Sequence, residues 1–193
     1  MTARTFSLEP FPGTGIFTDS LEPFARSGIS TDIEITGIVA RRSNTLCIGY
    51  LLSGRIENLA IPAPASIPTR RKALWETTCF EFFIAIKGSQ RYWEFNLSPA
   101  GHWNVYRFDS YRQGMVEESA FTALPFLVQR QPGSVSLDLT VDLEDIIPMD
   151  RTLEIAVTAV IKSTGGELSY WSLAHGGAHP DFHRRDGFII ELR

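Results

Sequence analysis

Apolar and polar residues alternate along several short stretches of this chain. That period of two constrains the fold more than any other feature. From Ser134 to Leu143, Val135, Leu137, Leu139, Val141 and Leu143 alternate with Ser136, Asp138, Thr140 and Asp142. Thr31–Arg42 sets Ile33, Ile35, Gly37 and Val39 in one row, with Asp32, Glu34 and Thr36 in the other. Within Arg151–Lys162, Leu153, Ile155, Val157, Ala159 and Ile161 repeat the pattern. Successive side chains of a strand point to opposite faces, so each stretch reads as a half-buried strand. Ser43-Asn44, Gly88-Ser89, Pro99-Ala100-Gly101, Pro132-Gly133 and Gly165-Gly166 supply turns between such stretches. The spacing predicts about ten strands, tight turns and no long amphipathic helix. The expected fold is an all-β, antiparallel β-sandwich of jelly-roll or immunoglobulin-like type.

Other segments fit this plan. Residues 4–9 read as a short strand at an edge, and Arg55–Ile61 as another. Pro10–Gly28, rich in Pro, Gly and Phe, reads as an irregular connection. Thr45–Ser53 returns against Thr31–Arg42 as a hairpin, and Leu124–Gln131 pairs with Ser134–Asp142. Pro62, Pro64 and Pro68 keep residues 61–74 out of any helix interior or central strand, so this is a loop that ends on Trp75. Thr78–Lys87 is apolar in both rows, and both faces are expected to be covered. Arg91–Ser98 sets Trp93, Phe95 and Leu97 against Tyr92, Glu94, Asn96 and Ser98. His102–Phe108 is the next strand, and Asp109–Ala123 reads as a polar loop. Leu143–Ile147 reads as a helical turn stopped by Pro148. Glu167–Leu173 and Phe188–Leu192 close the chain around a loop at 174–187 that holds three of the four histidines.

At 193 residues the chain suits one core, and residues 1–193 are expected to form one domain. The net charge of -4 and the lack of a basic stripe argue against nucleic acid as a partner. Arg70, Arg71 and Lys72 read as a solvated loop. No run approaches the roughly 18 apolar residues of a membrane span. The first fifteen residues contain no apolar signal-peptide core, so a cytoplasmic location is expected. Cys47 and Cys79 fall on strands and are expected to be buried free thiols.

Leu74–Gly114 concentrates the chemistry. It carries three of the four tryptophans, with Glu81, Glu94 and Asn96 among them. Rings with hydrogen-bonding groups between them suit a flat, hydroxyl-rich ligand such as a sugar; the same rings also suit core packing. Glu81 stands in a phenylalanine run, where a carboxylate is costly unless paired. Glu81 and Glu94 on neighbouring strands invite comparison with a glycosidase pair at ~5–9 Å, but a sandwich surface without a deep cleft argues against catalysis. His175, His179 and His183 lie near Asp181 and Asp186, yet Gly176, Gly177 and Pro180 deny them one helical face, and no metal is assigned. Phosphate-cradling loops, nucleophile elbows and HExxH are all missing from the sequence.

Three stretches carry a family likeness: LWETTCFEFFI, RYWEFNLSPAGHWNVYRFDSYRQGM and YWSLAHGGAHPDFHRRDGFIIEL. Together they resemble the DOMON-like proteins, whose domain is similar to family 9 carbohydrate-binding modules. The resemblance implies a non-catalytic sandwich that holds a small sugar between aromatic walls. It matches Trp75 to one wall, Glu81 to an acidic floor residue and Phe182 to the opposing wall. Thr78 stands where the modules have Asp. Glu94 and Asn96 match an Arg and an Asn of the modules, so the Arg is lost, and Arg184 or Arg185 is expected to restore positive charge. His179 matches an amide residue, and His183 joins the site from the same loop. No cofactor is required. Haem-binding cousins imply a Met and a His as axial ligands, for which Met115 and His183 are the candidates. Some modules bind calcium, but no Asp-rich loop stands out here. The alternatives are a haem-binding redox domain and a protein-interaction scaffold. Trp93 and Trp103 are expected in the core.

Overall fold

Strands form where the two-residue period runs, and each ends where a turn residue interrupts it. The computed structural model describes residues 2–12 and 32–193. Its strands are β1 (Thr2–Pro10), β2 (Ile33–Arg42), β3 (Thr45–Gly54), β4 (Cys79–Ile86), β5 (Tyr92–Leu97) and β6 (Trp103–Phe108), followed by β7 (Val116–Glu117), β8 (Phe126–Gln131), β9 (Ser134–Asp142), β10 (Leu153–Lys162), β11 (Leu168–Ser172) and β12 (Ile190–Leu192). Most of the irregular connection expected at Pro10–Gly28 lies outside the described residues. Among the described residues no helix is long and apolar enough to cross a membrane.

All strand pairings are antiparallel. The order runs β7-β6-β5-β4-β10-β11-β1-β2-β3-β9-β8, with β12 added to β10. The sheet curls so that β8-β9-β3-β2-β1 faces β7-β6-β5-β4-β10-β11, which makes a sandwich. The first strand is the seam. Thr2–Leu8 pairs with β2, whereas Glu9 and Pro10 pair with β11. Pro10 has no N–H to give, and Phe11 N–H donates instead to the Tyr170 carbonyl at 2.7 Å. The edge strand expected at residues 4–9 is therefore interior to the sheet. Burial alternates along this strand at Phe6 and Leu8, but a strand's own pattern does not say how many neighbours it has.

Ile35, Leu46, Ile48, Leu52 and Leu137 from one layer meet Phe80, Phe82, Phe95, Val157 and Trp171 from the other. Phe82 and Phe95 stack at 4.5 Å with 11° between their planes. Each such side chain taken from water is worth about 1.5–3 kcal/mol. Trp93 and Trp103 belong to this core, as expected. The outer face of β4, β5, β6 and β10 carries a second cluster of Phe83, Ala85, Tyr92, Tyr106, Phe108, Ala156 and Phe188, with Trp75 and Phe182 packed against it. Both faces of β4 are thus covered, which explains why that strand is apolar in both rows.

Two further expectations change. Arg55–Ile61 is a 3-10 turn at Ile56–Asn58 followed by a single bridge from Leu59 to Ser163, not a strand. Cys47 is exposed while Cys79 is buried. Leu46, Ile48, Tyr50 and Leu52 occupy the core row of β3, so Cys47 falls in the row that faces away. The loop at 109–123 is irregular apart from the two-residue β7, and the turn at Leu143 is closed by Ile147 N–H to the Leu143 carbonyl at 2.8 Å.

Candidate functional site

The outer cluster opens into a cavity of about 380 Å³. Glu81 and Phe83 of β4, Glu94 of β5, Phe108 of β6, Val160 of β10 and Leu168 and Tyr170 of β11 form its floor. Trp75, Arg112, Met115, Pro180, Phe182 and His183 rise around it from three loops.

Trp75 sits in a one-turn 3-10 helix, Leu74–Glu76, entered through Ala73 with a left-handed backbone (φ 56). Its ring meets Tyr106 edge-on at 5.8 Å. Phe182 meets Tyr170 in the same way at 6.0 Å. Each wall is thus braced by a tyrosine of the sheet and keeps part of its ring open to the cavity.

The strand register sets the carboxyls. Phe83 lies opposite Glu94, and Glu81 lies opposite both Asn96 and Thr158. Glu81 and Glu94 are therefore diagonal neighbours on one face, within mutual reach. They are 2% and 5% exposed, so neither is solvated as a free carboxylate would be. Glu94 Oε1 accepts a bond from Asn96 Nδ2 at 2.7 Å. Glu81 Oε1 is buried and has no partner among the described residues. Burial, and then the Glu94 charge, push Glu81 well above the carboxylate range. Burial also raises Glu94, to about 7, against the opposing effects of Asn96 and Arg112.

His183 is wedged among rings, at 5.3 Å from Phe83 and 5.0 Å from Phe108. Burial, followed by the Arg112 charge, lowers its pKa to about 4, so the imidazole is neutral at pH 7. Its Nδ1 lies 2.8 Å from the Tyr92 hydroxyl, which also accepts the Arg112 backbone N–H at 3.2 Å. The Tyr92 hydroxyl can donate to Nδ1, with the imidazole proton on Nε2, or accept from Nδ1–H, since its oxygen has two lone pairs. Nε2 stands 3.9 Å from Glu94 Oε2, too far for a direct hydrogen bond.

Asp181 ties two loops together across the mouth. It accepts from Arg112 at 2.8 Å, from the Tyr111 hydroxyl, and from the His183 backbone N–H at 3.1 Å. Burial alone would raise its pKa, but the bonds from Tyr111 and Arg112 outweigh burial and hold it below the usual range. Arg112 itself has a left-handed backbone (φ 53), an unusual conformation for a residue with a Cβ.

Of the residues singled out from sequence, Trp75, Glu81, Glu94, Phe182 and His183 line this one cavity. Asn96 is fully buried behind it, where it orients Glu94 and receives the Cys79 thiol at 3.8 Å. His179 is exposed and does not line the cavity, because the loop turns at Pro180 before it enters. His175 is also elsewhere, its Nε2 2.9 Å from the Glu9 carbonyl. The three loop histidines thus diverge, and among the described residues no group of three metal-binding side chains forms. Arg184 pairs with Asp186, and Arg185 pairs with Glu154 and covers Phe188. Among the described residues the cation lining the cavity is instead Arg112, which sequence reasoning missed. Only the loop geometry brings it in. Phe108 and Tyr170 were also missed, although Phe108 shares a row with Tyr106 on β6.

Met115 and His183, the pair expected of a haem site, both line the cavity. However, Nε2, the atom an iron would take, faces a buried carboxyl rather than open space.

No family model matches the chain, and no curated protein matches its sequence. Among solved structures, a "putative carbohydrate-binding protein" from Bacteroides uniformis is similar, with a TM-score of 0.62 and 17% identity over 80% of this chain and 76% of that one. A family 9 carbohydrate-binding module from Caldicellulosiruptor kristjanssonii in complex with glucose aligns at a TM-score of 0.45 and 8% identity, over 74% of this chain and 68% of that one. The first likeness supports the all-β sandwich fold.

Proposed function

We propose that this chain binds a small carbohydrate without catalysis, in the manner of a DOMON-like or family 9 module. The observation that carries this reading is the cavity itself. Trp75 and Phe182 enter it from loops more than a hundred residues apart, and Glu81, Glu94, His183 and Arg112 lie among the rings. Its volume falls in the range of about 300–1,000 Å³ usual for small-molecule sites. Apolar C–H faces of a sugar suit the rings, and its hydroxyls suit the carboxyls and the imidazole N–H. The carbohydrate-binding description of the Bacteroides neighbour points the same way. Glycoside hydrolysis needs two carboxyls flanking the scissile bond. Glu81 and Glu94 lie side by side in one sheet face and are nearly flush with the floor, which favours binding over cleavage.

Titration of intrinsic tryptophan fluorescence with a panel of mono- and disaccharides tests the reading. At least one sugar should change the signal and raise the melting temperature. Trp75→Ala removes one stacked face, worth about 1–2 kcal/mol, and should weaken that sugar about five- to thirtyfold. A panel that leaves both signals unmoved refutes carbohydrate binding at this cavity.

A further inference from the structure

The cavity floor holds two carboxyls that burial keeps protonated, and a neutral sugar supplies no cation against which they could ionise. Two acidic side chains, Glu81 and Glu94, are buried diagonal neighbours, and among the described residues no cation is bonded to either. Glu94 is held by the neutral amide of Asn96, and Glu81 Oε1 has no partner among the described residues. A third carboxylate, Glu76, stands exposed at the rim. Arg112 lowers Glu94 only in part, and its guanidinium is bonded to Asp181 at 2.8 Å rather than to either floor carboxyl. His183 adds no charge, since its imidazole is neutral. Buried polar atoms without partners are rare. The rings of Trp75 and Phe182 border the same cavity, and aromatic rings are a setting in which ammonium groups are recognised.

We propose that the preferred ligand is an amino sugar whose free, protonated amine sits against Glu81 and Glu94, with the ring between Trp75 and Phe182. This rests on the carbohydrate reading above and names the ligand class of the same cavity. An ammonium group offers three donors and a positive charge. It can meet the Glu81 and Glu94 carboxyls from the cavity they both line and let them ionise, and charge-assisted bonds of this kind are about twice as strong as neutral ones. An N-acetylated sugar has neither the charge nor the extra donors. An acidic sugar would place like charges together.

Calorimetric titration of the full chain at neutral pH with D-glucosamine, D-glucose and N-acetyl-D-glucosamine tests this. Glucosamine should bind about tenfold or more tighter than glucose, and the N-acetyl sugar no tighter than glucose. In Glu94→Gln and Glu81→Gln, both of similar shape to the native side chain, the glucosamine-to-glucose ratio should fall to within about threefold. If glucose or the N-acetyl sugar matches glucosamine in the native protein, the amine proposal is overturned and carbohydrate binding stands. Binding of none of the three, with a wider sugar panel also silent, overturns both. A ratio unchanged in both folded Gln variants removes these carboxyls as the cause. The native three-ligand comparison decides the proposal even if neither variant folds.

Discussion

Glu94→Gln should stabilise the protein above neutral pH and leave it nearly unchanged in acid. Glu94 is 5% exposed, and its Oε1 accepts from Asn96, a bond that a glutamine amide oxygen keeps. Burial raises this carboxyl from 4.5 to about 7 in the folded chain. The unfolded chain releases the proton near 4.5, while the folded chain holds it up to about pH 7. Between those values the folded state binds more protons, so stability falls as pH rises. The contribution is fully present below about pH 4.5 and is lost once pH passes about 7. A gap of about 2.5 pH units at about 1.4 kcal/mol each amounts to about 3 kcal/mol. Glutamine is neutral throughout and escapes this loss. Glu81 works in the same direction, because its own rise comes partly from the Glu94 charge. Above pH 8 the variant should therefore melt about 6–12 °C higher than the native chain. Urea unfolding of both proteins at matched pH gives the difference directly and cancels the titrating groups that Glu94 does not influence. A difference that does not change between about pH 4.5 and about pH 8.5 would refute the reasoning, and so would a native chain that is the more stable at the higher pH.

Other outcomes follow from the fold. Phe82→Ala removes a fully buried ring stacked on Phe95 and should cost about 3–5 kcal/mol in urea unfolding; a loss below about 1 kcal/mol would contradict the core position. Thiol labelling should modify one cysteine in the native protein, Cys47, and two in denaturant. Cys79 is shielded by burial, which also pushes its thiol pKa up and leaves little thiolate to react. Rapid labelling of both thiols in native protein would contradict that placement.

Much of the strand pattern was legible before any tertiary contact was known. The row Val135, Leu137, Leu139 and Val141 is buried as its alternation requires, and Ser134–Asp142 forms one strand. The tandem Phe82-Phe83 pointed to a strand covered on both faces, and the structure divides those two rings between two clusters. Arg55–Ile61 was less legible. A short apolar-polar run suits a strand or a turn, and only a partner strand decides between them. Residues 4–9 were recognised as a strand but not as a seam, because pairing depends on groups 27 to more than 160 residues away. Of the candidate site, Trp75, Glu81, Glu94, Phe182 and His183 were named from resemblance and residue type, and the structure gathers them. Arg112 had no sequence signal, since a left-handed arginine in a polar loop looks like any solvated cation. His179 was misplaced because spacing within an irregular loop does not set direction.

The sequence alone determined most of the strands, the inward and outward rows of the clearly alternating ones, and the turns between them. Those follow from steric limits on single residues and from the two-residue period of an extended chain, both local properties. The tertiary structure decided which strands pair, that β1 joins the two layers, and that two distant loops close over one acidic, ring-lined floor. It also raised the proton affinity of that floor. Burial depends on what the rest of the chain places overhead, and no local pattern carries that information.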